Sequence, residues 1–304
     1  MESSVPVRHV SVLPREVLHG LNPQPGQVLV DCTTGVGGHT RLLAERVVSS
    51  HPEGPDGLVV ALDQDAAMLD RARLRLQGLP VRLIQASFDT LPDVLASLGI
   101  AQVDGLLADL GLCSDQLDAA ERGFSFSQEG PLDMRMNRQD AETAADLIHR
   151  LPERELADLI YRFGEERYSR RIAKQIVEQR QKSRFTTTTQ LAELVRRCVP
   201  RRGGIDPATR TFQALRIAVN DELGALQRLL DALPRLLRPG GVAALISFHS
   251  LEDRLVKQAF RNRDLWYEIT RKPLSPQADE IASNPRARSA KLRLARRQET
   301  TKTT

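Results

Sequence analysis

Three aspartates in the first part of the chain, Asp31, Asp63 and Asp109, each end a short apolar run, and a glycine-rich turn, Gly35-Val36-Gly37-Gly38-His39, follows the first of them. An apolar run closed by a carboxylate is how a buried strand delivers an acceptor to the rim of a sheet. Glycines let the backbone turn sharply and approach a ligand without side-chain interference, and a helix beginning there offers unpaired N–H groups. A dinucleotide fingerprint would read G-x-G-x-x-G/A, but Thr40 stands in the last position, which argues against a pyrophosphate-binding dehydrogenase. At Asp63-Gln64-Asp65 a carboxylate can accept from both hydroxyls of a ribose. Asp63, ending the run, is the acceptor by position, and Asp65 is assigned the N-cap of a helix beginning near Ala66. Phe88, after the third run, either lies against an adenine or is a core phenylalanine.

His249 stands between Ser247 and Ser250 after a late apolar run. A neutral imidazole there suits taking or relaying a proton near pH 7, and a structural histidine bonded to backbone is the alternative. His9, His19, His51 and His149 are scattered, and Asp115, Asp118 and Glu121 read as helix and turn polar groups, so no metal is expected. Cys32, Cys113 and Cys198 form no C-x-x-C pair, which supports neither a disulfide framework nor a cysteine zinc site.

These groups need a sheet to position them. Val28 to Asp31, Leu58 to Asp63, Val81 to Ile84 and Gly105 to Asp109 read as parallel strands covered on both faces, with Ala66 to Gln77 and Asp93 to Leu98 as crossover helices. In such a sheet the ligand sits beyond the carboxyl ends of the strands. After Gln116 the pattern turns helical, over Ala141 to Arg150, Glu153 to Tyr161, Ser169 to Gln181 and Thr189 to Cys198, with breaks at Pro152, Gly164, Pro200 and Gly203-Gly204. A helix from Phe212 to Leu237, ended by Arg238-Pro239-Gly240-Gly241, leads to a fifth strand, Gly241 to Ser247. Trp266 to Thr270 and Lys291 to Ala295 read as two final strands, Pro273 to Pro285 as a loop, and Gln298 to Thr304 as a frayed tail. The expected architecture is a doubly wound α/β sheet domain, residues 1–115 and 212–304, into which an all-helical domain, 116–211, is inserted.

The 304 residues are 41% hydrophobic and 27% charged, enough for one large core or two ordinary ones. Formal net charge is +4, with basic residues concentrated from Arg254 onward, among them Arg271, Lys272, Arg286, Arg288 and Arg293. Such a segment either attracts phosphate backbones or serves as a solubilising tail. Arg135, Arg210, Arg286 and Arg288 are the phosphate candidates, with a surface ion pair as the alternative for each. The apolar run Val242 to Ile246 falls far short of the roughly 20 residues that cross a bilayer, and Met1 to Val12 lacks the pattern of a signal peptide. A cytoplasmic protein without a membrane span is expected.

Longer blocks carry a resemblance. They include His9-Val10-Ser11-Val12-Leu13, Gly37-Gly38-His39-Thr40, Glu121-Arg122-Gly123-Phe124-Ser125-Phe126 and Gly130-Pro131-Leu132-Asp133-Met134-Arg135-Met136. Further on stand Tyr168 with Arg170-Arg171-Ile172-Ala173, Ala208-Thr209-Arg210-Thr211-Phe212-Gln213-Ala214-Leu215-Arg216, Ser247-Phe248-His249-Ser250-Leu251-Glu252-Asp253-Arg254, and Asn284-Pro285-Arg286-Ala287-Arg288-Ser289. Over nearly the whole chain these resemble the RsmH (MraW) family of bacterial 16S ribosomal RNA cytosine-N4-methyltransferases.

The resemblance implies a Rossmann-like class I methyltransferase sheet using S-adenosylmethionine, with an inserted helical domain for substrate recognition. It implies methyl transfer to the exocyclic N4 of a cytidine in the decoding region of 16S rRNA, as free RNA or in the small ribosomal subunit. The family's cofactor contacts fall on Gly37, Gly38, His39, Asp63, Phe88, Asp109 and Gln116, and Gly35 joins them from the turn. The chain departs from the family at Cys32-Thr33-Thr34-Gly35 and Leu112-Cys113-Ser114-Asp115, which bears on fine cofactor geometry.

A cytosine amine is a poor nucleophile, so placement and an acceptor for its N–H matter most, and Asp109 and His249 are the catalytic candidates. Many amino-methyltransferases carry Asp/Asn-Pro-Pro-aromatic after the fourth strand. Here that place reads Asp109-Leu110-Gly111-Leu112, so Asp109 serves the cofactor, the amine or both. A cytosine must also be unstacked to reach a buried methyl donor. Two other readings stay open: a methyltransferase of a different acceptor, and a non-catalytic RNA-binding ribosome-assembly factor. No protein partner is expected, and a homodimer is left open.

Overall fold

The computed structural model describes residues 10–49, 57–200 and 204–299. His9, His51, Gly203 and residues 300–304 of the expected tail lie outside them. Along the chain run α1 (Pro14–Leu21), β1 (Val28–Asp31), α2 (Gly38–Val47), β2 (Leu58–Asp63), α3 (Ala66–Arg75), β3 (Val81–Gln85), α4 (Leu91–Ser97) and β4 (Val103–Asp109). Then come α5 (Ser114–Asp118), α6 (Ala144–Arg150), α7 (Glu153–Gly164), α8 (Ser169–Arg180), α9 (Thr188–Cys198), α10 (Thr209–Val219) and α11 (Glu222–Leu236). The chain closes with β5 (Leu237–Ser247), α12 (Ser250–Phe260), β6 (Trp266–Glu268), α13 (Ala278–Ser283) and β7 (Lys291–Arg297). Short 3₁₀ turns stand at Phe88–Thr90, Ala120–Arg122 and Pro285–Ser289. Among the described residues no helix is long and apolar enough to cross a membrane.

The chain divides into two compact units, one of residues 1–111 and 223–304, the other of Leu112–Glu222. In the first, seven strands form one sheet in the order β3-β2-β1-β4-β5-β7-β6. Neighbours from β3 to β5 are parallel, whereas β7 runs antiparallel to β5 and β6. The near-continuous apolar runs follow from the strand's period of two, because alternate residues enter different cores. Val30, Val60, Leu62, Leu106 and Leu245 fill one face with α4, α11 and α12. Leu29, Val59, Leu107, Ala244 and Ile246 fill the other with α1 and α2. Strand order reverses between β1 and β4, and the carboxyl ends there carry Asp31 and Asp109.

The second unit is helical, α5 to α10 around a separate core that includes Met134, Ile148, Ile160, Ile172, Leu191 and Leu215. The apolar positions of α8, Ile172, Ala173 and Ile176, recur at helical spacing and are buried, while Arg170, Arg171 and Lys174 of the same helix are exposed.

Several boundaries differ from expectation. The unit limits fall at Leu112 and Glu222, not at 116 and 211, so α10 belongs to the helical unit. The helix expected from Phe212 to Leu237 is two, α10 and α11, because Asp221 takes the left-handed conformation (φ 46°) between them. Arg216 then grips Glu222 across the break through Nε to Oε1 at 2.7 Å and a second nitrogen to Oε2 at 2.8 Å. Leu237 already pairs with Val103, and the register resumes at Gly105 with Val242 beyond the Pro239-Gly240 excursion. The expected loop from Pro273 to Pro285 contains α13, whose Glu280 accepts the Leu13 backbone N–H at 2.7 Å.

Candidate functional site

The turn after β1 is tied to both neighbouring strands. Asp31, fully buried, accepts from the Thr33 N–H at 3.1 Å and from the Thr40 hydroxyl at 2.7 Å. Thr33 in turn accepts the Asp109 backbone N–H on its own hydroxyl at 2.7 Å, which fastens the turn to the end of β4. On the β2 side Gly35 N–H donates to Asp63 Oδ2 at 2.7 Å, and Asp65 N–H donates to Oδ1 at 2.9 Å. Each Asp63 oxygen keeps a second lone pair for a ligand hydroxyl. Asp65 is the N-cap of α3, accepting from the Ala67 N–H, as the sequence assigns it. Gly37 starts α2 at φ 86°, and a Cβ there would stand 3.1 Å from Leu76 Cδ1, so this position suits glycine on both grounds. Thr40, which breaks the dinucleotide pattern, has its hydroxyl committed to Asp31.

Three carboxylates therefore crowd the carboxyl edge of β1, β2 and β4, and all three hold their protons more tightly than usual. Burial pushes Asp31 to about 6 against the opposing Thr40 and Thr33 hydrogen bonds. Burial also pushes Asp63 to about 6. Asp109 is raised well above the carboxylate range, by burial first and then by the charges of Asp31 and Glu252. His39 Nε2 lies 3.6 Å from Asp109 Oδ2. Asp109 Oδ1 and the Thr34 hydroxyl are buried without a hydrogen-bond partner among the described residues. The Cys32 thiol, pushed up by burial and by Asp31, is unsuited to act as a nucleophile.

His249 occupies the structural alternative. It is the N-cap of α12, its Nδ1 accepting the Glu252 N–H at 3.4 Å and its Nε2 lying 3.0 Å from Glu252 Oε1. Glu252 Oε2 accepts from the backbone N–H groups of Phe248 at 2.8 Å and His249 at 3.3 Å. Glu252 is the residue that sequence reasoning passed over. It is buried, and its charge acts on Asp109. The signal was its place three residues after His249, the spacing of a reciprocal helix cap. Phe88 opens the 3₁₀ turn after β3 and packs, half-buried, against the sheet core.

The remaining candidates separate by unit. Arg286 and Arg288 belong with the turn and the aspartates in the first unit, whereas Gln116, Arg135 and Arg210 lie in the second. Gln116 caps its own helix, its Oε1 accepting the Cys113 N–H at 3.1 Å. Arg135 grips Asp133 through two nitrogens at 2.7 and 2.9 Å and donates to the Asp140 carbonyl at 2.6 Å, the ion-pair alternative for this residue. Arg210 donates to the Glu165 carbonyl at 3.1 Å and stays exposed.

Residues 6–298 match the profile of the MraW methylase family. The chain belongs to that family. Among its relatives is the Ribosomal RNA small subunit methyltransferase H of Sorangium cellulosum, 53% identical over 294 residues, covering 95% of this chain and 91% of the relative. That of Deinococcus radiodurans is 50% identical over 299 residues, covering 97% and 92%. A solved rRNA methylase from Streptococcus thermophilus aligns at TM-score 0.45 and 10% identity over 94% of each chain. Members of the MraW methylase family are S-adenosylmethionine-dependent methyltransferases, and the mixed α/β sheet seen here is of their Rossmann-like type.

The donor set fits such a cofactor. Among the described residues no Lys or Arg side chain bonds to Asp31, Asp63 or Asp109, so this edge offers no cation to hold a phosphate and leaves its carboxylates as acceptors for a ligand carrying hydroxyls, a sulfonium and an ammonium. Asp63 has acceptor capacity for ribose hydroxyls, and Gly35 and Gly37 leave the backbone approachable.

Proposed function

We propose that this chain methylates the exocyclic N4 of a cytidine in the decoding region of small-subunit ribosomal RNA. The observation that carries the reading is Asp109, a buried carboxylate at the end of β4 with one oxygen beside His39 and the other without a partner. Bound S-adenosylmethionine supplies an electrophilic methyl group on sulfur, so the protein has only to place and deprotonate the acceptor. Asp109 Oδ1 accepts an N–H of the cytosine amine, which turns the nitrogen lone pair toward the donor. As the N–C bond forms the S–C bond would break, its electron pair staying on sulfur so that neutral S-adenosylhomocysteine leaves; nitrogen becomes cationic, and Asp109 takes the released proton. Its raised proton affinity matches that task at neutral pH better than an ordinary carboxylate would. Asp63 holds the ribose, and the Gly35-to-His39 turn holds the rest of the cofactor.

The names of the relatives support a small-subunit RNA acceptor. So does the basic segment before β7. Lys291 opens β7 opposite Ser247, the last residue of β5, so this antiparallel strand begins at the edge of the sheet where β4 ends. Ala287 and Ala290 are buried there, while Arg286 and Arg288 on either side of Ala287 are exposed. Arg288 has no hydrogen-bond or ion-pair partner among the described residues, which suits a phosphate contact in the cytoplasm, where ribosomes are assembled.

The test is transfer from labelled S-adenosylmethionine to small subunits that lack the modification, followed by mapping of the labelled nucleoside. N4-methylcytidine in the decoding region is expected. Label in another nucleoside overturns the acceptor assignment, and cofactor binding without transfer points to an assembly factor.

A further inference from the structure

The arginines of the helical unit differ sharply in how their charge is answered. Arg150 meets Glu142 at 2.6 Å, Arg184 meets Asp146 at 3.1 Å, and Arg216 meets Glu222 at 2.7 Å. Around the turn between α7 and α8 the pattern is different. Residues 161–171 hold Arg162, Arg167, Arg170 and Arg171 against two glutamates. Of these, Glu166 is buried and accepts the Tyr168 N–H at 2.8 Å, which leaves Glu165 as the exposed acid of the stretch. Arg210 comes to the same turn from α10, donating to the Glu165 carbonyl at 3.1 Å.

None of the five arginines has a carboxylate partner among the described residues, and all are exposed. Arg162 and Arg167 lie over the rings of Phe163 and Tyr168 at 5.5 and 5.1 Å, contacts that orient a guanidinium without using its N–H groups. Beside them Tyr161 is 61% exposed on α7. Like charges gathered on one turn repel each other, and folding has no use for a ring in water; both features suit a polyanion that carries planar bases.

We propose that the α7–α8 turn, with Arg162, Arg167, Arg170, Arg171 and Arg210, binds the phosphate backbone of an RNA strand, and that Tyr161 stacks on one of its bases. The inference rests on the reading that the acceptor is RNA. It also gives a use to the Tyr168, Arg170-Arg171 block, which the cofactor chemistry does not explain. Arginine suits the task because its planar fork bonds phosphate oxygens in pairs while its face rests on an aromatic ring. Stacking by Tyr161 adds affinity with little dependence on sequence.

The full-length protein carrying R162Q, R170Q and R171Q together is titrated against a fluorescently labelled single-stranded fragment of small-subunit rRNA over a range of salt concentrations. The dependence of log Kd on log salt should become shallower by about two, at roughly 0.7 per lost phosphate contact. R150Q, which removes a paired arginine of the same unit, should leave the slope unchanged. Thermal stability and binding of S-adenosylhomocysteine should match the unaltered protein. Y161A should weaken binding by about ten-fold or more with the slope preserved. An unchanged slope in the triple variant overturns the phosphate surface, and unchanged affinity in Y161A overturns the stacking face. Mapping of the methylated nucleoside reports separately on the acceptor, so an error there is not confused with an error here.

Discussion

His39 Nε2 and Asp109 Oδ2 stand 3.6 Å apart, so the first turn of α2 and the end of β4 meet in a polar contact shielded from solvent. The contact leaves the other Asp109 oxygen buried and unanswered. A carboxylate in that state is costly to hold ionised and ready to accept a proton or an N–H.

Asp109 accepts an amine proton only when it is ionised, and burial with the charges of Asp31 and Glu252 shifts its proton loss to higher pH. The rate of methyl transfer should therefore rise with pH along a limb lying above the ordinary carboxylate range. D109N should lower kcat by about 10²- to 10⁴-fold and remove that limb. If the limb persists in D109N, another group is responsible for it.

Asp31 and Asp63 give the ligand-free protein a pH dependence of its own. Each has a folded pKa of about 6 against an ordinary 3.8, so the folded state binds more protons than the unfolded state between those values. Stability should fall as pH rises from about 4 to about 6 and level off above, by at most about 3 kcal/mol for each group. Denaturant unfolding at pH 4 and pH 7.5 measures this. D31N should be more stable than the unaltered protein at pH 7.5 and show no gain at pH 4.

Gly37 sits at φ 86° with Leu76 close to where a Cβ would lie, whereas Gly78 has φ 80° and open space around it. Both G37A and G78A should lose about 1–2 kcal/mol of stability from the left-handed backbone. Only G37A should also weaken S-adenosylhomocysteine, by about ten-fold in calorimetry. Equal affinities in the two variants would mean the turn does not touch the cofactor.

His249 as helix cap predicts that an asparagine can replace it. H249N should keep stability and most of kcat, while H249A should lose about 1 kcal/mol. A fall in kcat for H249N with stability intact would return the histidine to the chemistry.

Arg135 and Arg288 should separate in the same way. R135A breaks the paired contacts to Asp133 and should lower thermal stability, with the salt dependence of RNA binding unchanged. R288A, in the 3₁₀ turn before β7, should leave stability alone and make the salt dependence shallower by about 0.7 to 0.9.

What could be read directly from the amino acids was local or periodic. The strands of the sheet were visible because alternate residues of each had to be apolar to enter separate cores, as Leu29 and Val30 do. The glycine turn, the aspartates that end β1, β2 and β4 and the Asp65 cap were visible because each depends on neighbours a few residues away. Where a partner lies far along the chain, the sequence was silent. The burial of Glu252 within reach of Asp109 and the helix at 278–283 whose Glu280 meets Leu13 both depend on contacts made only after the chain has folded. The same reason divides the arginines. Residue type gives every guanidinium the same charge, but only tertiary structure sets Asp146 against Arg184, 38 residues away, and leaves Arg170 and Arg171 without a carboxylate among the described residues.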